Sequence, residues 1–143
     1  MNIKEAADLF GLTPDTLRYY EKVGIVPPVH RAQSGFRYYQ TRDLNWIYLV
    51  RSLRRAGMDI DALKHFAELA KGRETNDIDT LKALDTAQKG ILQKQLIEID
   101  EKISELQQTR EILAYKISTY EDHIAKFKTG EWDAENQERL WER

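Results

Sequence analysis

The chain has 143 residues, of which 41% are hydrophobic and 32% charged, and its formal net charge is −2. This length suits one ordinary domain or a small domain with an extension, and the composition excludes a disordered or fibrous protein. The absence of cysteine excludes disulfides, thiolate metal sites and thiol-based sensing. No apolar run reaches the roughly 18 residues of a membrane span, and the first residues lack the apolar stretch of a signal peptide. We therefore expect a cytoplasmic location and no membrane partner.

The small net charge hides a separation of charge along the chain. Residues 1–71 hold 11 Lys/Arg against 8 Asp/Glu, whereas residues 72–143 hold 11 against 16. Within residues 16–58 the count is 8 basic to 2 acidic. A positive region of this kind is typical of a surface that contacts a polyanion, and a near-neutral whole chain does not argue against it.

Two short helices with a tight turn between them are predicted at the start of the chain. Asn2 is a good N-cap for the first helix, and Gly11 ends it. Thr13 caps the second helix, with Pro14 at the first helical position, where its missing N–H costs nothing. Gly24 ends the second helix, so the pattern predicts a helix-turn-helix.

A short β-hairpin is predicted next. Pro27 and Pro28 prevent the second helix from continuing, and residues 29–31 and 36–39 are predicted as two strands around a turn at residues 32–35. A two-stranded ribbon is marginal by itself, so it must pack on the helices or be held by a ligand. A hairpin beside a helix-turn-helix is the winged form of that motif.

Two further helices precede a polar connector. Thr41 is predicted to cap the third helix, which Gly57 stops, and Asp59 to cap the fourth, which ends near Gly72. Four aromatic residues leave two interpretations open, because they can line an effector pocket beside a partner's helix or belong to an ordinary core; they are Trp46, Tyr48, Phe66 and Tyr115.

A long coiled-coil helix is predicted over residues 80–128, which contain no proline. Apolar residues recur there with alternating spacings of four and three over about five heptads, on the order of 50 Å. A helix with so narrow an apolar stripe is not stable alone in water, so we expect a second copy to cover it. The predicted dimerisation residues are Leu92, Leu96, Ile99, Ile103, Leu106, Arg110, Leu113, Ile117 and Tyr120, and the spacing continues to Ile124 and Phe127.

The predicted elements divide the chain into four parts. Residues 1–72 form the winged helix-turn-helix domain, residues 73–79 the connector, residues 80–128 the dimerisation helix and residues 129–143 a tail. The tail is too short for a domain, but its larger apolar residues can pack back on the dimer; they are Trp132, Leu140 and Trp141.

The second helix and the hairpin carry the candidate polyanion contacts. Threonine and arginine can donate to base edges or phosphates, and tyrosine can donate to a phosphate. The predicted contact residues are Thr13, Thr16, Arg18, Tyr19, Lys22, Arg31, Arg37 and Tyr38.

The sequence carries no pattern that indicates catalysis. It contains no nucleophile–base constellation and no Gly-rich phosphate loop. The three histidines, His30, His65 and His123, lie in different predicted elements, so they do not indicate a metal site. We therefore predict neither an enzyme nor a cofactor.

Three stretches resemble the MerR family of bacterial transcription regulators: IKEAADLFGLTPDTLRYYEKVGIVPP, GFRYYQTRDL and IYLVRSLRRAGMDIDAL. The resemblance covers residues 1–72 and implies a mainly α fold, with a winged helix-turn-helix DNA-binding domain followed by a long dimerising antiparallel coiled-coil helix. It implies a homodimer on a pseudo-palindromic operator in the spacer of double-stranded promoter DNA. Such a dimer bends and untwists the DNA and thereby acts on RNA polymerase.

Within the family, the sequence looks most similar to the short aldehyde-responsive branch. Members of that branch carry a sensing cysteine in the third helix, and the alignment through LVRSLRRAG puts Ser52 at that position. Because the chain has no cysteine, the branch's thiol chemistry is not carried over, and the signal stays open, a small-molecule effector included. The alternative function is that of a coiled-coil adaptor or assembly protein without enzymatic activity.

Overall fold

A computed structural model describes residues 1–131 and 137–143, which form five α-helices and one short 3-10 helix. These residues fall into two compact units, Met1–Leu96 and Ile97–Arg143, and α5 contributes to both. The mainly α architecture agrees with the predicted fold class, while Trp132 of the predicted tail lies outside the described residues. The helices are α1 (Ile3–Phe10), α2 (Pro14–Val23), α3 (Thr41–Arg55), α4 (Ile60–Lys71) and α5 (Ile78–Thr129), with the 3-10 turn at Leu140–Glu142.

The ends of α1 and α2 follow the predicted capping signals. The side chain of Asn2 accepts a first-turn backbone N–H at 2.9 Å, and Thr13 Oγ1 accepts the N–H of Thr16 at 3.1 Å. Gly11 and Gly24 end the two helices with φ of 64° and 85°, in the left-handed region that favours glycine. The chain therefore reverses between α1 and α2, and the predicted helix-turn-helix is present.

The N-cap of α3 is Gln40, and the prediction of Thr41 was wrong by one residue. The backbone N–H of Gln40 donates to Asp43 Oδ2 at 2.9 Å, the contact expected of a carboxylate at the third helical position. Asp43 is buried, so its carboxylate serves this cap and does not lie on the surface.

The prediction of two strands in the wing was wrong, because the described residues contain only one isolated antiparallel bridge, between Arg31 and Arg37. The predicted turn is present, and the N–H of Tyr38 also crosses to His30 O at 2.8 Å. At the base of the hairpin, however, the backbone donors bond elsewhere. The N–H of Val29 donates to Glu21 at 2.9 Å, and that of Tyr39 donates to Met1 O at 2.7 Å. In this register both donors face away from the opposite arm, so they anchor the base of the hairpin to α2 and to Met1. A further rung would need the N–H of His30 to donate to Tyr38 O, but the described residues hold only the one bridge, so the arms are not strands.

The core of the first unit lies among α1 to α4 and the segment after α2. Trp46 stacks on Phe66 with ring centroids 5.3 Å apart, and its indole N–H donates to Ile25 O at 2.8 Å. Phe66 is buried and Trp46 partly buried, so both belong to the core, which was the simpler of the two interpretations. The largest side chains that are fully buried are Ile25, Ile47, Val50 and Leu63.

The first part of α5 packs on this unit through two buried glutamines that the sequence analysis did not identify. The amide of Gln88 donates to Phe66 O at 3.3 Å, and that of Gln95 to Ala56 O at 3.4 Å. Because they are seven residues apart, the two glutamines lie on one face of the helix. The packing stripe has its own alternating spacing of three and four, through Leu81, Leu84, Gln88, Ile91 and Gln95.

In the second unit, the C-terminal segment folds back on α5. The hydroxyl of Tyr115 donates to Glu138, and the guanidinium carbon of Arg143 lies 3.4 Å from the centroid of the Tyr115 ring. Leu140 is half-buried, whereas Trp141 is 80% exposed. Of the predicted tail contacts, Leu140 is therefore covered within one chain and Trp141 is not.

Trp46→Phe should lower the free energy of unfolding by about 1 kcal/mol, because it keeps an aromatic ring beside Phe66 but removes the donor to a buried carbonyl. Urea denaturation followed by circular dichroism measures this change. The control is Trp141→Phe, which we expect to be neutral because that side chain is exposed. Equal stabilities for the two variants would contradict a role for the indole N–H.

Candidate nucleic-acid interface

The outward face of α2 carries three of the predicted contact residues. Arg18, Tyr19 and Lys22 are exposed, while Leu17 and Tyr20 on the other face are buried in the core. This division fixes the side of the helix that is available to a ligand. The face is polar, cationic and aromatic, which suits contact with base edges and phosphates.

The cations on this face are available to a polyanion. Arg18 Nη1 lies 2.8 Å from Asp15 Oδ1, but both side chains are largely exposed, and exposed pairs of this kind contribute little to stability. Lys22 has no ion pair within the described chain. A phosphate can therefore replace Asp15 beside Arg18 and can bind Lys22 without displacing a carboxylate.

The two threonines are engaged at the start of α2. Thr13 Oγ1 caps the helix and also lies 2.9 Å from Thr16 Oγ1. Each threonine can contact DNA through its methyl group. Each hydroxyl can also make further hydrogen bonds beyond those within the helix.

The wing presents its polar and aromatic side chains outward. Arg31 is exposed and its Nη1 donates to Gly35 O at 3.0 Å, which holds the side chain over the turn. Tyr38 is half exposed and Phe36 is 75% exposed. Phe36 was not among the predicted contacts, although it lies beside the predicted contact Arg37.

Arg37, another predicted contact, faces inward to Glu21 of α2. Its Nε donates to Glu21 Oε2 at 2.6 Å, and the N–H of Val29 donates to Glu21 Oε1 at 2.9 Å. The side chains of Arg37 and Glu21 are only 19% and 14% exposed. One carboxylate thus holds both arms of the wing against α2, and we call this arrangement the Glu21 clamp.

Glu21 is held in its charged form. Burial by itself would raise the pKa of Glu21, but the hydrogen bonds from Arg37 and Val29 and the charges of Arg37 and Arg31 lower the pKa further than burial raises it. The net pKa lies below the ordinary glutamate range, so the clamp is an ion pair at neutral pH.

The surface of residues 16–58 is more cationic than their composition indicates. The two acids within residues 16–58 are Glu21 and Asp43. Both carboxylates accept hydrogen bonds from backbone N–H groups. Most of the cations of the same segment are exposed: Arg18, Lys22, Arg31, Arg42, Arg54 and Arg55. The pattern that could have identified Glu21 is its position as one of only two acids in a basic segment.

Most of the predicted dimerisation residues are exposed on α5. Leu92 differs, since it is half-buried and packs against the core of the first unit, and Ile99 is also half-buried. Large exposed apolar patches are rare on monomeric proteins and mark interaction surfaces. The exposed members of the stripe are Leu96, Ile103, Leu106, Arg110, Leu113, Ile117, Tyr120, Ile124 and Phe127.

Ser52 shows no sign of activation. Its hydroxyl donates to Tyr48 O at 2.9 Å, four residues earlier in α3, which is an ordinary contact for a serine within a helix. Over residues 1–131 and 137–143, no three His, Cys, Asp or Glu side chains are grouped so that they could hold a metal ion. None of the helices in those ranges has the length and apolar character needed to cross a bilayer.

A helix-turn-helix with a wing clamped beside it and a cationic outer face defines the winged helix-turn-helix class of DNA-binding proteins. Comparison with known proteins narrows this class. Residues 1–69 match the family described as MerR HTH family regulatory protein. The transcriptional regulator AdhR of Bacillus subtilis is 49% identical over 69 residues, which are 48% of this chain and 49% of AdhR.

Another relative covers more of the chain. The transcriptional regulator PA4778 of Pseudomonas aeruginosa is 33% identical over 113 residues, 79% of this chain and 80% of PA4778. The chain therefore spans about half the length of AdhR but about four fifths of PA4778.

Solved structures share the fold. A MerR family transcriptional regulator from Listeria monocytogenes is 37% identical, with a TM-score of 0.72 over 91% of this chain and 92% of that one. HiNmlR, a MerR family regulator that lacks the sensor domain and was solved bound to promoter DNA, is 28% identical, with a TM-score of 0.71 over 87% and 92%.

This chain belongs to the MerR family of helix-turn-helix transcription regulators. The relatives named above are transcription regulators rather than enzymes, and they do not favour the alternative of a coiled-coil adaptor.

Glu21→Gln should remove a pH-dependent part of the stability. Because the pKa of Glu21 is lowered in the folded state, its contribution is complete above the unfolded pKa of about 4.3 and is lost as the pH falls through the folded pKa. We expect the variant to be less stable by about 1 kcal/mol at pH 7. This difference should shrink as the pH falls below about 4.3.

Denaturant titrations between neutral and acid pH test this prediction, with the exposed Glu68→Gln as the matched control. A difference between the wild type and Glu21→Gln that stays constant with pH would contradict an ionic role for the clamp.

Proposed function

We propose that this protein forms a homodimer that binds a pseudo-palindromic operator in the spacer of double-stranded promoter DNA and regulates transcription by distorting it. The observation that carries the proposal is the outward face of α2 with the wing clamped beside it, which together form one cationic surface. A relative with the same fold, HiNmlR, was solved bound to promoter DNA. The distortion links DNA binding to RNA polymerase.

Within this surface, α2 enters the major groove and the wing follows the flanking backbone. We assign base and phosphate contacts on α2 to Thr13, Thr16, Arg18, Tyr19 and Lys22, and backbone contacts on the wing to Arg31, Arg37 and Tyr38. For Arg37 the Glu21 clamp adds a second role, because its Nε is used on Glu21 and only the remaining guanidinium donors are left for a phosphate.

We assign the dimer interface to α5. The exposed stripe from Leu96 onwards pairs with the same stripe of another chain in an antiparallel coiled coil, and Arg110 on the stripe fixes its register. Two-fold symmetry of the dimer then matches the two-fold symmetry of the operator. Leu92 contributes to the dimer from its position beside the core of the first unit.

In this proposal, residues 1–72 bind DNA, residues 73–79 connect, residues 80–128 form the dimer and residues 129–143 are the tail. The protein acts in the cytoplasm without catalytic activity and without a cofactor, because the site consists of contact residues rather than a reaction centre. Ser52 occupies the position where the aldehyde-responsive branch has its cysteine, so the chain offers no thiol to a signal. A small-molecule effector therefore has to act without thiol chemistry.

Titration of the protein onto its promoter DNA at two salt concentrations tests the function. We expect tight binding that weakens steeply as salt rises, because each phosphate contact releases counterions, and about 10³-fold weaker binding to unrelated DNA. A fluorescence anisotropy titration with a shuffled sequence as control measures both quantities. Absence of binding at low salt would refute the proposal.

The paired change Leu106→Asp and Leu113→Asp should give monomers and abolish specific binding, because four carboxylates cannot be buried in the coiled-coil interface. Sedimentation velocity measures the oligomeric state. The control pair is Gln107→Asp and Ala114→Asp, which lies one residue further along the helix, outside the stripe. Dimers that persist in the first variant would show that the stripe is not the interface.

A further inference from the structure

A cleft of about 390 Å³ opens between the start of α1, the outward face of α2 and the second arm of the wing. Two of its lining residues, Arg18 and Arg37, were predicted as contacts from the sequence, and the other four were not. We call it the wing cleft, and it is lined by Asn2, Ile3, Lys4, Arg18, Phe36 and Arg37.

The walls of the wing cleft are almost entirely carbon. Ile3 and the ring of Phe36 supply apolar surface, and the long basic residues add their aliphatic stems. Phe36 is 75% exposed, so it contributes little to the core.

Three of the six residues that line the cleft are basic. Arg37 is held by Glu21 and Arg18 by the exposed Asp15, whereas Lys4 is exposed and has no ion pair within the described chain. Carbon walls that include basic residues complement a ligand that alternates apolar and anionic groups. A nucleic-acid strand has this alternation, with a sugar between each pair of phosphates.

The cleft is continuous with the DNA-facing surface, because Arg18 belongs to α2 and Arg37 to the wing. A duplex that contacts both elements passes over the space between them. A small-molecule ligand fits the cleft less well, since such sites combine apolar walls with several convergent polar groups, and almost no polar surface lines this cleft.

We propose that the wing cleft binds the sugar–phosphate backbone of the operator, with a deoxyribose against Phe36 and Ile3 and a phosphate at Lys4. This inference rests on the proposed function and extends it to Lys4, Ile3 and Phe36, which have no role in the contacts assigned above.

Phe36→Ala should weaken operator binding about tenfold, the equivalent of about 1.4 kcal/mol, through loss of apolar contact with the sugar. Because Phe36 is exposed in the free protein, the variant should keep the thermal stability of the wild type. The matched control is Leu9→Ala, which truncates another exposed apolar residue in the first unit. An affinity of Phe36→Ala equal to that of the wild type would overturn the proposal.

Lys4→Gln should reduce the magnitude of the salt slope by about 0.9, the value of one lost phosphate contact, whereas Lys82→Gln on α5 should leave the slope unchanged. The phosphate itself can be located with operator duplexes that carry one uncharged methylphosphonate at successive positions. We expect one position in each half-site where this change weakens binding of the wild type but not of Lys4→Gln.

Equal sensitivity of the wild type and Lys4→Gln at every position would overturn the assignment of that phosphate to Lys4. These outcomes differ from failure of the proposed function, in which the wild-type protein itself shows no salt-dependent binding to the promoter.

Discussion

The contact between Glu21 and the wing determines the shape of the DNA-facing surface. The hairpin has one bridge between its arms, which is too little pairing to hold it in place. Glu21 holds the two arms in place instead, because its carboxylate accepts hydrogen bonds from Arg37 Nε on one arm and from the backbone N–H of Val29 on the other. Since Glu21 lies on α2, the wing and the recognition helix are positioned by the same element. The exposed cations around it can then present a fixed pattern to a polyanion.

The second constraint is the apolar stripe of α5. In the first unit, one face of α5 packs on the core, and the polar contacts of that face are made by Gln88 and Gln95. In the second unit most apolar residues of the stripe are exposed, and exposed apolar surface of this extent marks an interaction site. In the proposed dimer, a symmetric pair of chains covers the stripe and supplies two DNA-binding domains. The same helix then provides both the interface and the symmetry that a pseudo-palindromic operator needs.

The features that could be predicted from the sequence are those fixed by neighbouring residues. Helix ends at Asn2, Gly11, Thr13 and Gly24 depend on contacts within four residues, and the heptad spacing is a local pattern. The strands of the wing were predicted wrongly because the residue pattern does not show how far the two arms pair. One bridge forms, and the base of the hairpin is instead anchored by Val29 on Glu21 and by Tyr39 on Met1. Arg37 was predicted as a DNA contact, but its partner Glu21 was missed because it lies 16 residues earlier in the chain. The buried glutamines of α5 were missed because glutamine is usually a surface residue.

In the proposed complex, two identical DNA-binding domains joined through α5 bind one duplex at two related half-sites. Hydroxyl-radical footprinting of the protein on the promoter upstream of its own gene tests this claim most directly. We predict two protected regions of equal depth, related by a two-fold axis, that lie on one face of the DNA and are separated by whole turns of about 10.5 base pairs. A single protected half-site, or protection spread evenly along the fragment, would contradict it.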